Sequence, residues 1–131
     1  MGVLHLNKES FEKVTKQTAQ PVLIDFWATW CGPCVQELPH FERIRQAHPE
    51  QVEVICIHAN LATDDVEAFL REFGFDLPFA LDADGSVLKS FGGSLALPHT
   101  IVIDPTGVIT YNAVGSVDAA RLERLLLEAQ P

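Results

Sequence analysis

Two cysteines separated by two residues, Cys31-Gly32-Pro33-Cys34, close an apolar run, VLIDFWATW, that carries a single acid, Asp25. Thiols at this spacing can close a disulfide without moving the backbone far, and can reopen it by exchange. Their place in the chain matters as much as their spacing. They lie where a strand hands over to a helix, so a thiolate there faces free backbone N–H groups and the positive end of the helix dipole, which lowers its pKa. Cys31, nearer the helix start and solvent, is the expected attacking thiolate, and Cys34, one turn inside, the expected resolving thiol. A structural disulfide and half of a zinc site are the two other readings. Cross-linking so short a loop constrains the unfolded chain little. Neither a second Cys pair nor closely spaced His ligands follow, so no metal is expected. Asp25 adds a further question: a lone carboxylate on a buried strand is costly, and its pKa should rise until it holds a proton near neutrality.

The elements that must hold these groups can be read from the pattern. Residues 22 to 27 are apolar except for Asp25, as in the central strand of a parallel sheet. A helix should start at Cys31 or Gly32 and run to about Ala47, with Pro33 in its first turn and Pro39 inside it. Before them, Asn7 suits the N-cap of a helix reaching about Thr18, with Phe11 and Val14 on its inner face. After them, VEVICIHA (52–59) reads as a strand and TDDVEAFLREFG (63–74) as a helix opened by Thr63 or Asp64 and stopped by Gly74. A short strand in FALDADG and a short helix in SVLKSFGG come next. HTIVID and GVITYNAV read as strands joined by Asp104-Pro105-Thr106-Gly107, the residues a type I turn favours. A last helix over about 118–129 carries Leu122, Leu125 and Leu126 as its inward stripe. There is no internal repeat or linker, which predicts one alternating α/β domain over residues 1–131.

The totals narrow the function. At 131 residues the chain can bury a real core. Its net charge of −9, with only 9 Lys+Arg spread along the chain, argues against nucleic acid as a partner. No apolar run reaches membrane-spanning length, and MGVLHLNKESF lacks the basic start and apolar middle of a signal peptide. As the chain stands this predicts a cytoplasmic protein; the alternative is a periplasmic or extracytoplasmic one whose leader or anchor has been removed. His5, His40, His48 and His58 show no metal-ligand spacing.

FWATWCGPC after an apolar strand with an embedded acid resembles the thioredoxin superfamily, over nearly the whole chain. Glu37-Leu38-Pro39, the long connection from Asn60 to Pro98 and the LPHTIVIDPTGVIT hairpin resemble its TlpA/ResA-like thiol–disulfide oxidoreductases. That resemblance implies a thioredoxin fold: a central mixed β-sheet with helices on both faces, and an extra helix and strand inserted before the last hairpin. It also implies roles. Cys31 matches the nucleophile, Cys34 the resolving thiol, and Asp25 the buried acid that takes the proton of Cys34, against the alternative of an acid merely hydrogen-bonded in a wet gap. Trp30, Gly32 and Pro33 match the exposed rim. Pro98 matches a cis-proline facing the disulfide, which leaves the backbone of Leu97 to pair with an extended substrate peptide. His99, where the family more often has Thr, is expected either near the disulfide and substrate or solvated at a strand start. Family members often carry an acid about where Leu61 lies. Cys56 falls close to the position of a lysine beside the buried acid in plain thioredoxins, and reads otherwise as a small buried hydrophobe.

The activity so implied is reduction of protein disulfides by dithiol exchange. It needs no metal or organic cofactor, only the Cys31–Cys34 couple and an upstream thiol reductant, either thioredoxin reductase-like or a membrane thiol donor. The protein is expected to be monomeric. A disulfide oxidase or isomerase, and a non-catalytic thioredoxin-like binding module, are the alternatives.

Overall fold

The computed structural model describes residues 3–16, 18–59, 66–82, 84–92 and 96–130. In chain order the elements are β1 (Leu4–Leu6), α1 (Lys8–Lys16), β2 (Val22–Trp27), α2 (Gly32–Ala47), β3 (Glu53–Ala59), α3 (Val66–Phe73), β4 (Phe79–Asp82), α4 (Ser86–Ser90), β5 (His99–Ile103), β6 (Ile109–Val114) and α5 (Ala119–Glu128). They build a six-stranded sheet in the order β1-β4-β3-β2-β5-β6. The first four strands run parallel, while β5 and β6 form an antiparallel hairpin on β2. β2 is therefore central and buried along its whole length, as its near-continuous apolar run requires.

The two faces of β2 feed separate cores. Leu23 and Trp27 join Leu38, Phe41 and Ile44 of α2 and Leu122 and Leu126 of α5. Val22, Ile24 and Phe26 join Phe11 of α1, Val87 and Leu88 of α4, and Ile101. Each fully buried side chain of this size contributes about 1.5–3 kcal/mol. The Trp27 ring lies 5.2 Å from Phe69 and 5.4 Å from Phe79, so α3 and β4 are anchored on the strand that leads to the cysteines.

Local chemistry sets the element ends. Asn7 Oδ1 accepts the Ser10 N–H at 2.9 Å and Ser10 Oγ accepts the Asn7 N–H at 3.0 Å, a reciprocal cap for α1. In the hairpin the Gly107 N–H donates to Asp104 O at 2.9 Å, closing the expected turn, and Gly107 takes φ 91°, which favours glycine. Asp118 caps α5 through the N–H groups of Ala120 and Arg121.

Two features differ from the sequence pattern. β1 was not apparent from the sequence: it is a three-residue strand, formed by pairing with the distant β4. Val14 is 41% exposed rather than inward, and α1 buries Phe11 alone. The inward stripe of α5 holds: Leu125, half-buried, packs against the same core as Leu122 and Leu126. The expected starts of the third helix at Thr63 or Asp64, like Leu61, lie outside the described residues.

Asp82 is fully buried, and its two carboxylate oxygens accept the N–H groups of Val87 at 3.2 Å and Leu88 at 2.9 Å. A five-residue helix does not stand alone, so these bonds hold α4 onto the end of β4. Asp82→Ala should cost about 2–3 kcal/mol, read as a lower urea midpoint at unchanged m-value. A midpoint within error of wild type would rule that role out.

Candidate active site

Cys31 occupies the N-cap of α2 with extended backbone, and its Sγ accepts the Cys34 N–H at 3.3 Å. Pro33 fills the first turn, where its missing N–H costs nothing. The turn before it is held from two sides. The Cys31 N–H donates to Ala28 O at 3.1 Å, and the Thr29 N–H donates to Nε2 of His58 at 3.2 Å. The sulfurs of Cys31 and Cys34 are joined in a disulfide, with their Cα atoms 5.3 Å apart. Cys34 is fully buried, whereas Cys31 keeps a 7% exposed edge. The pair is thus asymmetric: Cys31 sits at a helix N-terminus with a little of its surface open, and Cys34 is wholly enclosed in the core.

Around the pair, Trp30 is 54% exposed and Gly32 and Pro33 are exposed, forming a rim. A Cβ built at Gly32 meets nothing within 4 Å, so a side chain there would project over the rim rather than into the fold. The Leu97-Pro98 peptide bond is cis. Because His99 pairs with Phe26 in the antiparallel register, Pro98 comes level with the end of β2, where the chain turns toward Cys31. Leu97 is half-buried and Pro98 buried.

Asp25 lies on the β2 face covered by α2, fully buried, with Cys56 as its register partner on β3 and Thr100 on β5. Neither carboxylate oxygen has a hydrogen-bond partner among the described residues. The Cys56 thiol beside it is a weak donor. Burial pushes Asp25 well above the usual carboxylate range, the Glu37 charge pushes it further, and the Cys56 thiol pulls it back.

Glu37 is a second buried acid at this site, 6% exposed. Burial lifts it to about 7, offset in part by the Val117 backbone. In the sequence Glu37 stands out only as a family mark. Its signal was present in the spacing: three residues after Cys34, it falls on the same face of α2, beside Leu38 and Phe41. Thr100, also fully buried, carried no such signal.

His99 takes the sheet face of Phe26. It alternates with Thr100 along β5, so it faces the opposite side of the sheet from Asp25. There it is 3% exposed, its ring 5.8 Å from Phe26 and its Nε2 2.5 Å from Asn112 Oδ1. It is therefore buried, not solvated at the strand start. Among the described residues no group of three or more His, Cys, Asp or Glu could hold a metal ion.

The Asp25 environment has a measurable consequence. Unfolded, Asp25 titrates near 3.8; folded, it keeps its proton to higher pH. Between those two values the folded state binds the extra proton, so stability falls as pH rises, by about 1.4 kcal/mol per pH unit for one full proton. Asp25→Asn removes that difference. Urea unfolding at a series of pH values should show wild type losing stability relative to the variant through this window; a difference independent of pH would mean an ordinary carboxyl.

A mixed sheet with helices on both faces and a Cys-x-x-Cys disulfide capping the helix after its central strand defines a thioredoxin-like fold. The sequence pattern of the Redoxin family matches residues 5–126. The chain resembles the thiol-disulfide oxidoreductase ResA of Halalkalibacterium halodurans, 31% identical over 127 residues that cover 96% of this chain and 71% of the relative. It is also 30% identical over 111 residues to ResA of Bacillus thuringiensis subsp. konkukian, covering 84% of this chain and 64% of that relative's length. The crystal structure of StoA from Bacillus subtilis superposes with a TM-score of 0.72 at 26% identity, covering 82% of each chain. The chain belongs to the Redoxin family, as a TlpA/ResA-like member of the thioredoxin superfamily.

Proposed function

We propose that this chain, acting as one domain over residues 1–131, is a thiol–disulfide oxidoreductase that reduces protein disulfides. The observation that carries the reading is the asymmetry of the Cys31–Cys34 pair, with Cys31 at the helix cap under an exposed rim and Cys34 fully buried against the face of β2 that bears an acid. In the reduced protein the Cys31 thiolate, favoured by the Cys34 N–H and the helix dipole, attacks one sulfur of the target disulfide. The other target sulfur leaves as a thiolate, and a mixed disulfide joins Cys31 to the target. Cys34 then gives its proton to the Asp25 carboxylate and attacks Cys31 Sγ, which releases the second target thiolate and closes the Cys31–Cys34 disulfide. Two electrons pass to the target. Glu37 keeps the region electronegative, which raises the proton affinity of Asp25.

Trp30, Gly32 and Pro33 form the surface on which the target lies, with the backbone of Leu97 pairing to an extended segment of it and Pro98 holding that segment over the sulfurs. His99 supports the strand from its far face. The couple needs no metal or organic cofactor, and a thiol donor must reduce it after each cycle. That donor is thioredoxin reductase-like if the chain works in the cytoplasm, and a membrane thiol donor if it works outside the membrane. No described helix is long and apolar enough to cross a membrane.

Gly-Pro between the cysteines favours the reducing direction, by resemblance to thioredoxin, whose couple lies near −270 mV. Equilibrating the Cys31–Cys34 couple against glutathione tests it. A potential within about 40 mV of that value supports a reductant, whereas one near the roughly −120 mV of a strong oxidant assigns the chain to disulfide formation. A pair that does not exchange with glutathione at all leaves a binding module.

A further inference from the structure

The thiol of Cys56 takes no part in the exchange described above, yet it stands against the one acid that does. Cys56 and Asp25 are Cα partners across the parallel β3–β2 pair, so their side chains lie on the same face of the sheet. Both are fully buried, under the same layer of α2. Thr100 flanks Asp25 from the other side, on β5. The groups that bear on Asp25 come from both neighbouring strands and from α2. They are Cys56 from β3, the non-titrating Thr100 from β5 and Glu37 from α2, with Cys34 of α2 in the same buried cluster as Cys56 and the Arg45 charge on α2 reaching Cys56.

Packing alone does not call for sulfur at this position. Alanine or valine would fill a buried strand site as an apolar side chain; cysteine is the small apolar side chain that also carries a proton to donate. That proton stays in place. Burial and the Asp25 charge both push the Cys56 thiol up, so it is a donor and not a second thiolate. A hydrogen bond to the charged form of an acid favours that form, and both Asp25 oxygens are without a partner among the described residues, so the adjacent Cys56 thiol has an open acceptor to turn toward.

We propose that Cys56 is a positioning residue for the exchange reaction: its S–H, held toward the Asp25 carboxylate from the neighbouring strand, keeps that carboxylate able to accept the proton of Cys34. The proposal rests on the shuttle role given to Asp25 above. In the resolving step the proton moves from Cys34 Sγ to an Asp25 oxygen, the Cys56 S–H bond stays intact, and no electrons pass through Cys56.

The test compares Cys56→Ala with Cys56→Ser, which restores an O–H donor. The probe is 5,5′-dithiobis(2-nitrobenzoate), whose two coloured thiolates report the two steps in turn: Cys31 attack releases the first, Cys34 resolution the second. Resolution should rise with pH through an Asp25 midpoint. In Cys56→Ala that midpoint should move up by about one pH unit, making resolution about tenfold slower below it. The first release should be unchanged, and Cys56→Ser should return the midpoint to the wild-type value or below. The Asp25 carboxyl stretch, isolated by infrared difference against Asp25→Asn, gives the same titration without reference to catalysis. An infrared midpoint that stays put in Cys56→Ala, or moves equally in Cys56→Ala and Cys56→Ser, overturns the proposal and leaves Cys56 a packing residue. An infrared midpoint that moves while the resolution profile does not upholds the bond and overturns the shuttle role instead. Should Cys56→Ala fail to fold, Cys56→Val removes the same donor.

Discussion

Cys31→Ser should abolish turnover while leaving the fold intact. A serine hydroxyl does not ionise near neutral pH, so no nucleophile remains at the cap of α2. Cys34 cannot replace it, because it is fully buried and reaches no target from solvent. Loss of insulin reduction on the order of 10⁴-fold or more is expected, as for other enzymes stripped of their nucleophile. Serine is itself a favoured N-cap residue, so α2 keeps its start. The melting temperature should accordingly match that of reduced wild type, which also lacks the disulfide. Activity within tenfold of wild type in this variant would end the exchange mechanism.

Cys34→Ser should do the opposite at the chemical level: it keeps the first attack and stops the second. The capping site survives in this variant, and Cys31 keeps its 7% exposed edge, so it still forms the mixed disulfide. With no thiol at position 34 the adduct has no internal exit, and one covalently attached target per protein should accumulate. Intact mass before and after added dithiothreitol measures it. Multiple turnovers without external thiol, or no adduct with any disulfide-containing protein, would exclude Cys34 as the resolving group. Together the two variants separate attack from resolution, which bulk reduction assays merge.

Much of this site could be read along the chain because its parts are local. The strand that ends in Cys-Gly-Pro-Cys, the helix that Cys31 caps, the Asp104 turn and the Leu122/Leu126 stripe each depend on residues a few positions apart. Local spacing is what backbone geometry converts directly into caps, turns and faces. The family marks are of the same kind, since they are short runs around the cysteines and the hairpin. Even Glu37 was within reach, by counting three residues on from Cys34.

Other features depended on which strand lies beside which, and in what register. The chain from 4 to 6 is a strand because β4, more than seventy residues away, supplies its hydrogen-bonding partner. His99 and Thr100 are neighbours in sequence, but pairing with Phe26 and Asp25 sends one to the α1 and α4 face and the other to the acid. A slip of one residue would have exchanged them. The same register sets Cys56 against Asp25, a closeness that resemblance to the thioredoxin lysine position implied but spacing along the chain could not. Residue types and short spacings determined that this protein carries a dithiol at a helix start. Only the packed sheet decided which buried groups surround the acid beneath it, because side-chain direction in a strand is assigned by long-range pairing and not by the residues on either side.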